Sequence, residues 1–401
     1  MDPNLFQLVL KMVASSAECQ ALESRLRIQS MTDADFQTIF EFALHNSILP
    51  IFYQKAIQFN YFEFFPSFFQ ALIQNEVRAQ MIRNLRLRSV LSELVSAFYA
   101  ENIKLVLLKG IELQYRLYNE PYLRPMIDID LFLLEHDIEK ASQLLFAKGA
   151  KPVVISETKY IDSLKHHSAP IMYKGIAIEL HRRLTDLYDE VHFEKIDIWN
   201  ETEVFTIEGK PCIVMKPELL LVYLCHHLFS TLRGGKIKLL AYYDILLLLE
   251  KYSDHLNQEK ILKIMEVAKL KTSVYQTLAQ IIFLFPMAPI PLALQTGTSR
   301  IQMDVPFLLG AMQMGGIQNA RSHYFMKFMR IRSFAGKIQF LSGKFFPTGD
   351  YLNQIYGNSS YKTACKHLFT SLSIIFYAFA GVFFRFFIRI WNKLKKYRKF
   401  K

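Results

Sequence analysis

The sequence predicts an α+β protein: a small mixed β-sheet core at residues 101–215, flanked by N-terminal and C-terminal helical regions. Three observations predict it. Apolar residues recur at helical spacing through residues 1–100. Short apolar or alternating runs, bounded by Gly, crowd into residues 101–215. Helical spacing then returns from Pro217 onward. With 51% hydrophobic and 21% charged residues, the composition is that of a globular chain and not a disordered one.

The opening MDPNLFQLVLKMVASSAE has an acid at position 2 and a lysine inside its apolar run. It predicts an amphipathic helix, because a secretory signal needs a basic leading region. MTDADFQTIFEFALHNSILPIFYQKAI keeps helical spacing up to Pro50, which marks a break or a new helix start. QNEVRAQMIRNLRLRSVLSELVSAFYAEN follows as one long helix without Gly or Pro. IKLVLLKG and the alternating IDIDLFL read as strands, with IELQYRLYNE a helix between them. IEKASQLLFAKGA is a helix closed by Gly149. GIAIELHRRL is a further strand, and EVFTIEGKPCIVM a hairpin about Glu208-Gly209. PELLLVYLCHHLFSTL and KLLAYYDILLLLEKY open a C-terminal helical domain, residues 216–350, and are apolar enough to lie deep within it.

The formal charge of +12 is concentrated at one end. Residues 351–401 hold ten Lys or Arg and no acid, which leaves +2 on the first 350 residues. A nearly neutral body argues against a long nucleic acid as partner, and the basic tail argues for contact with something anionic. The four cysteines are scattered without a C-x-x-C pair, so neither a disulfide framework nor a structural zinc site is expected, and a reducing, cytoplasmic setting follows.

Asp128 and Asp130 stand one residue apart in an apolar strand, so they share a face, about 6.5–7 Å apart at Cα. Ile127, Ile129 and Leu131 are expected to face the core. Two converging carboxylates can bind one or two Mg²⁺ ions, and paired metals serve phosphoryl chemistry. Two acids facing solvent on a half-exposed strand would satisfy the same pattern. Glu179 and His181 likewise share a face, opposite Ile176, Ile178 and Leu180. Glu179 would complete a metal-binding set, or would pair with Arg182 or Arg183 across strands. Lys109-Gly110 lies where a strand hands over to a helix, a place where phosphate can approach backbone N–H groups, although a lone glycine there is also an ordinary turn residue. Arg124 could grip a phosphate or pair with an acid. His226 and His227 stand in an apolar helix, and Asp244 in another; His227 with Asp244 is the economical pairing, holding two helices together behind the site.

Together these residues resemble the nucleotidyltransferase superfamily that shares its catalytic domain with DNA polymerase beta. More closely, the chain is similar to the family described as uncharacterised bacterial nucleotidyltransferases. The likeness rests on Leu108-Lys109-Gly110, Leu117-Tyr118, Arg124-Pro125, Asp128-Ile129-Asp130-Leu131, Glu179-Leu180-His181, Cys225, His227 and Asp244, and on FFPTGDYLNQIYG at residues 345–357. It implies a Mg²⁺-dependent transfer of a nucleoside monophosphate from an NTP to an acceptor that the sequence leaves unidentified. Asp128, Asp130 and Glu179 would hold two Mg²⁺ ions and perform the catalysis. Lys109, Gly110 and Arg124 would bind the nucleotide, with His181, His227 and Asp244 behind them. The superfamily usually has Ser after the turn glycine, where this chain has Ile111. That departure keeps open a catalytically weakened nucleotide-binding protein, or a membrane-associated accessory protein of a biosynthetic pathway.

The tail supports the membrane alternative. Residues 368–384 are 17 consecutive uncharged residues, followed by eight Lys or Arg with Trp391 and Tyr397 among them. Such a segment could span a membrane, lie on the anionic inner face, or pack on the body with a solvated basic end.

Overall fold

A computed structural model of the chain describes residues 2–14, 28–313 and 328–373, apart from the single positions 121, 154, 188, 208 and 332. The described residues form two compact units. One is drawn from 1–151, 171–184 and 191–317, the other from 152–170, 185–190 and 318–401.

The larger unit carries a mixed sheet of strands β1 (Leu105–Leu108), β2 (Asp128–Leu133), β3 (Lys151–Pro152), β4 (Ile171–Tyr173), β5 (Ile176–His181), β6 (Thr202–Ile207) and β7 (Lys210–Met215). Their order across the sheet is β3-β4-β5-β2-β1-β7-β6. The strands expected from alternation are all present. β3 and β4 are additional, and at two and three residues they are too short to show a period. β1 runs antiparallel to β2 and parallel to β7, while β2 runs parallel to β5. The β4–β5 hairpin turns through Lys174 and Gly175, both at positive φ, as a two-residue turn of the twist-matching kind requires.

The two faces of the sheet are covered differently. Leu105, Leu107, Ile129, Leu131 and Leu133 face Leu87, Leu91, Leu94 and Phe98 of the long helix Ser67–Ala100, together with Ile138, Ala141 and Leu145 of the helix Ile138–Ala147. Val106, Leu108 and Phe132 point the other way, into the core built by the helices Pro217–Arg233 and Leu239–Tyr252. Alternation along β2 puts Asp128 and Asp130 on this second face. Helices therefore roof the acidic face rather than leave it to bulk solvent.

The helix Leu49–Gln58 starts with Pro50 in its first turn, where a missing N–H costs nothing. The helix Ile138–Ala147 is followed by Gly149 at φ +88°. In the smaller unit Ile161, Leu164, Ile331 and Phe340 form a separate core, and the helix Gly349–Tyr356 ends on Gly357 in the left-handed region. Among the described residues no helix is long and apolar enough to cross a membrane. Positions 374–401, which hold most of the apolar-basic tail, lie outside the described residues.

Candidate active site

β2 and β5 run parallel with Asp130 directly beside Glu179, so the register sets a carboxylate of each strand side by side. With Asp128 two residues back on the same face, three acids converge. Ile129, Leu131, Ile178 and Leu180 occupy the opposite face, all fully buried. Ile127 departs from the expected pattern: it lies one residue before the strand begins, outside the pleat, and is 71% exposed.

Asp130 is the best-held of the three acids. Its Oδ1 accepts from His181 Nε2 at 2.8 Å and from the Lys109 ammonium at 3.3 Å. Burial works to raise its pKa, but the charge on Lys109, then the bond and charge of His181, outweigh burial and hold it well below the usual carboxylate range. Since an ionised carboxylate only accepts, His181 donates from Nε2; burial disfavours its charge, yet its bonds to Asp130 and Glu179 raise its pKa above the ordinary histidine value. Asp128 behaves oppositely. Burial, followed by the negative charges of Asp130 and Glu179, pushes it up to about 6. The positive charges of Lys109 and Arg124 lower it but do not offset that rise.

That imbalance is the test of whether a cation fits. Asp130, Glu179 and His181 offer ligand atoms within 4.8 Å of one another, a spacing suited to a single ion. His181 Nε2 already donates to Asp130, which leaves the carboxylates as the oxygen donors a hard divalent cation prefers.

Lys109 opens the helix Lys109–Leu117 with φ +47°, an uncommon region for a residue with a side chain. This conformation carries its ammonium back over the sheet to Asp130, beside the buried hydroxyl end of Tyr223. Burial opposes the charge on Lys109, but Tyr223, Asp130 and Glu179 outweigh burial and keep it protonated. Gly110 has a different reason to be glycine than the one expected. A Cβ there would stand 2.7 Å from Arg124 Nη1 and 3.2 Å from Met126 Sδ, so the missing side chain makes room for Arg124.

Arg124 and Asp244 form a closed pair. The guanidinium donates from Nε to Oδ1 at 2.9 Å and from Nη2 to Oδ2 at 2.8 Å, and the Tyr118 hydroxyl adds a third bond at 2.7 Å. All three side chains are buried. Asp244 therefore pairs with Arg124 and Tyr118 and not with His227, as the sequence suggested. The two histidines divide as well: His226 is buried, whereas His227 is exposed and lines the cleft. Its positive potential reaches Asp130.

The cleft itself has a volume of about 480 Å³. Lys109, Gly110, Arg124, Asp128, Asp130, Glu179, His227 and Asp244 all border it, brought together from five separate stretches of chain. His181 stands behind them, fully buried, in contact through Asp130.

A family model described as uncharacterised nucleotidyltransferase matches residues 32–285. The chain belongs to that family. No curated protein matches it. The match contains every residue of this candidate site and ends before the FFPTGDYLNQIYG stretch at 345–357.

Several residues around the candidate site escape a reading by motif. Asn84 is fully buried and donates from Nδ2 to the Arg124 carbonyl at 2.9 Å; Gln80 donates to Asn84 at 2.8 Å, and Arg83 to Gln80 at 2.9 Å. Gln80 and Asn84 occupy the buried stripe that Ile73, Val77, Leu87 and Leu91 otherwise keep apolar. Two amides four residues apart in such a stripe are a legible sign of a polar task, since buried amides need partners. Tyr223 is harder to find, because a tyrosine among leucines reads as core.

Proposed function

We propose that this nucleotidyltransferase transfers a nucleoside monophosphate from an NTP to an acceptor hydroxyl, with Mg²⁺ as cofactor and pyrophosphate as the second product. The observation that carries the reading is the in-register pairing of Asp130 with Glu179, with Asp128 alongside, on the floor of a cleft that Lys109 and Gly110 enter. Asp128, Asp130 and Glu179 would hold the metal, two ions by analogy with the polymerase-beta-like superfamily. When bound, Mg²⁺ supplies a Lewis acid that neutralises phosphate charge as it develops.

The chain's own groups divide the remaining work. His181 and Lys109 keep Asp130 ionised. Lys109 is close enough to the acids to turn its ammonium onto the triphosphate once a divalent cation takes its place. Arg124, fixed by Asp244, holds the turn that carries Gly110 and borders the phosphates with Nη1. Glu179, whose side chain is 22% exposed, accepts the proton of the acceptor hydroxyl. The acceptor oxygen forms its bond to the α-phosphorus while the bond to the bridging oxygen of the leaving pyrophosphate breaks.

Calorimetric titration of each NTP with Mg²⁺ tests this, in wild type and in Asp128→Asn/Asp130→Asn. Metal-dependent binding lost in the double variant is the expected result. No binding of any NTP to folded wild-type protein would overturn it. Ile111 favours a second reading. It is 1% exposed and packed in the core, so it cannot take the phosphate-positioning role of a serine. Binding of NTP without release of labelled pyrophosphate under any acceptor pool would mark a nucleotide-binding relative that has lost transfer. The basic tail adds a localisation to either reading: a cytoplasmic protein held at the anionic inner face of a membrane. Flotation of full-length protein with anionic but not neutral vesicles tests that.

A further inference from the structure

A groove of about 350 Å³ adjoins the cleft, and Arg83 and Ile127 line both. Its walls are one face of the long helix, with Ile82, Arg83 and Arg86, and the strand ends at Ile127, Gly175 and Ile176. Ile127 immediately precedes Asp128, so the groove meets the cleft at Ile127 and Arg83, beside the start of the strand that carries the carboxylates. No acidic side chain lines it. Arg86 makes no hydrogen bond or ion pair among the described residues, and it lies against the Lys174-Gly175 turn, where a Cβ at Gly175 would come within 3.3 Å of its Nη2. Ile82 and Ile127 are 68% and 71% exposed, an unusual cost for two aliphatic side chains flanking one groove.

The main cleft, at about 480 Å³, lies low in the range of roughly 300–1,000 Å³ that small-ligand sites occupy. It holds one ligand of nucleotide size, so a two-substrate transfer needs a second seat that opens onto the same carboxylates. The groove adjoins the cleft through Arg83 and Ile127, and its chemistry names the occupant: two guanidiniums with no carboxylate in the groove wall, beside two exposed isoleucines.

We propose that this groove seats the acceptor, and that the acceptor is a small molecule with a phosphate monoester and an apolar body. Arg86 and Arg83 grip the phosphate, whose two negative charges match the two guanidiniums. The apolar body lies between Ile82 and Ile127, and a hydroxyl at its far end reaches the carboxylates. That hydroxyl oxygen bonds to the α-phosphorus, its proton passes to Glu179, and pyrophosphate departs. The proposal rests on the transferase reading above, but the groove can be tested without turnover.

Phenyl phosphate, which joins the two features in the simplest way, is the probe. Its binding to the full chain is followed by NMR, with benzyl alcohol, inorganic phosphate and a short single-stranded oligoribonucleotide in parallel. Wild type is expected to bind phenyl phosphate more tightly than inorganic phosphate and to ignore benzyl alcohol. Arg86→Gln is expected to weaken phenyl phosphate about tenfold, as loss of a charge-assisted contact does, with an unchanged unfolding midpoint. Asp128→Asn/Asp130→Asn is expected to retain it. Binding unaltered in Arg83→Gln/Arg86→Gln, or no binding to wild type, would overturn the proposal. So would Arg86-dependent binding of the oligoribonucleotide alone, which would give the groove to a polymer. If phenyl phosphate depends on Arg86 while no Mg²⁺–NTP binds, the groove stands and the transferase reading falls; the reverse result condemns the groove alone.

Discussion

Two cation–carboxylate pairs lie within the same cleft and are built to opposite ends. Arg124 and Asp244 meet through two parallel bonds with a tyrosine hydroxyl as third partner, all buried. Lys109 and Asp130 meet through one 3.3 Å contact, and Asp130 is shared with His181. A planar guanidinium bonded at two points has little freedom to leave. An ammonium on a flexible stem is a point charge that another cation can replace. The first pair is a fastening, and the second is a counter-ion that an incoming cation could displace.

Breaking the fastening should have the largest effect. Asp244→Ala strands a buried guanidinium and is expected to cost about 3–5 kcal/mol in urea unfolding. Replacing both partners, Arg124→Met with Asp244→Leu, should recover most of that stability while NTP binding stays lost. A paired variant as unstable as the single one would show that packing, not charge, holds this corner. A comparable penalty is expected outside the cleft for Arg116→Met. It strips the bonds that this guanidinium donates to Glu112, Glu203, the Met215 carbonyl and the Tyr252 hydroxyl all at once.

Lys109→Met should cost less, about 1–2 kcal/mol in metal-free protein, because His181 still serves Asp130. Saturating Mg²⁺ should close the gap between Lys109→Met and wild type, and should leave the deficit of Asp244→Ala unchanged, because that variant and wild type gain equally through the same carboxylates. Thermal unfolding with and without Mg²⁺ reads both, and equal response of the two variants would erase the distinction drawn here.

The remaining effect should be a gain. Asp128 titrates at about 6 when folded, above its unfolded value. The folded state therefore keeps a proton that the unfolded state releases, and metal-free protein loses stability as pH rises from about 4 to about 6. Asp128→Asn removes that loss, so it should unfold about 1–3 kcal/mol later than wild type at pH 7–8 and show no advantage below pH 4. Mg²⁺ should raise the midpoint of wild type and leave that of Asp128→Asn nearly unchanged. An Asn variant no more stable than wild type across the whole range would mean that the three acids do not repel one another.

Much of this site was legible before folding was considered. Strand alternation put Asp128 with Asp130 and Glu179 with His181, because side chains two apart in a strand must share a face. The Lys109-Gly110 handover and the hairpin about Gly209 were read from backbone chemistry of the same local kind. Ile127 misled because alternation has no meaning past a strand's end, and the pattern cannot locate that end to one residue. The partner of Asp244 misled because nothing in KLLAYYDILLLLEKY says which of several distant cations will reach it.

Local periodicity by itself determined the elements and which residues share a face, since both follow from backbone geometry over a few residues. Only the tertiary structure decided that β2 lies parallel to β5 with Asp130 beside Glu179. It alone brought Tyr223 to Lys109 and seated Arg124 over Gly110. Those outcomes depend on register and on helices packing across a sheet. They are long-range contacts, and their energy belongs to the assembled chain rather than to any stretch of it.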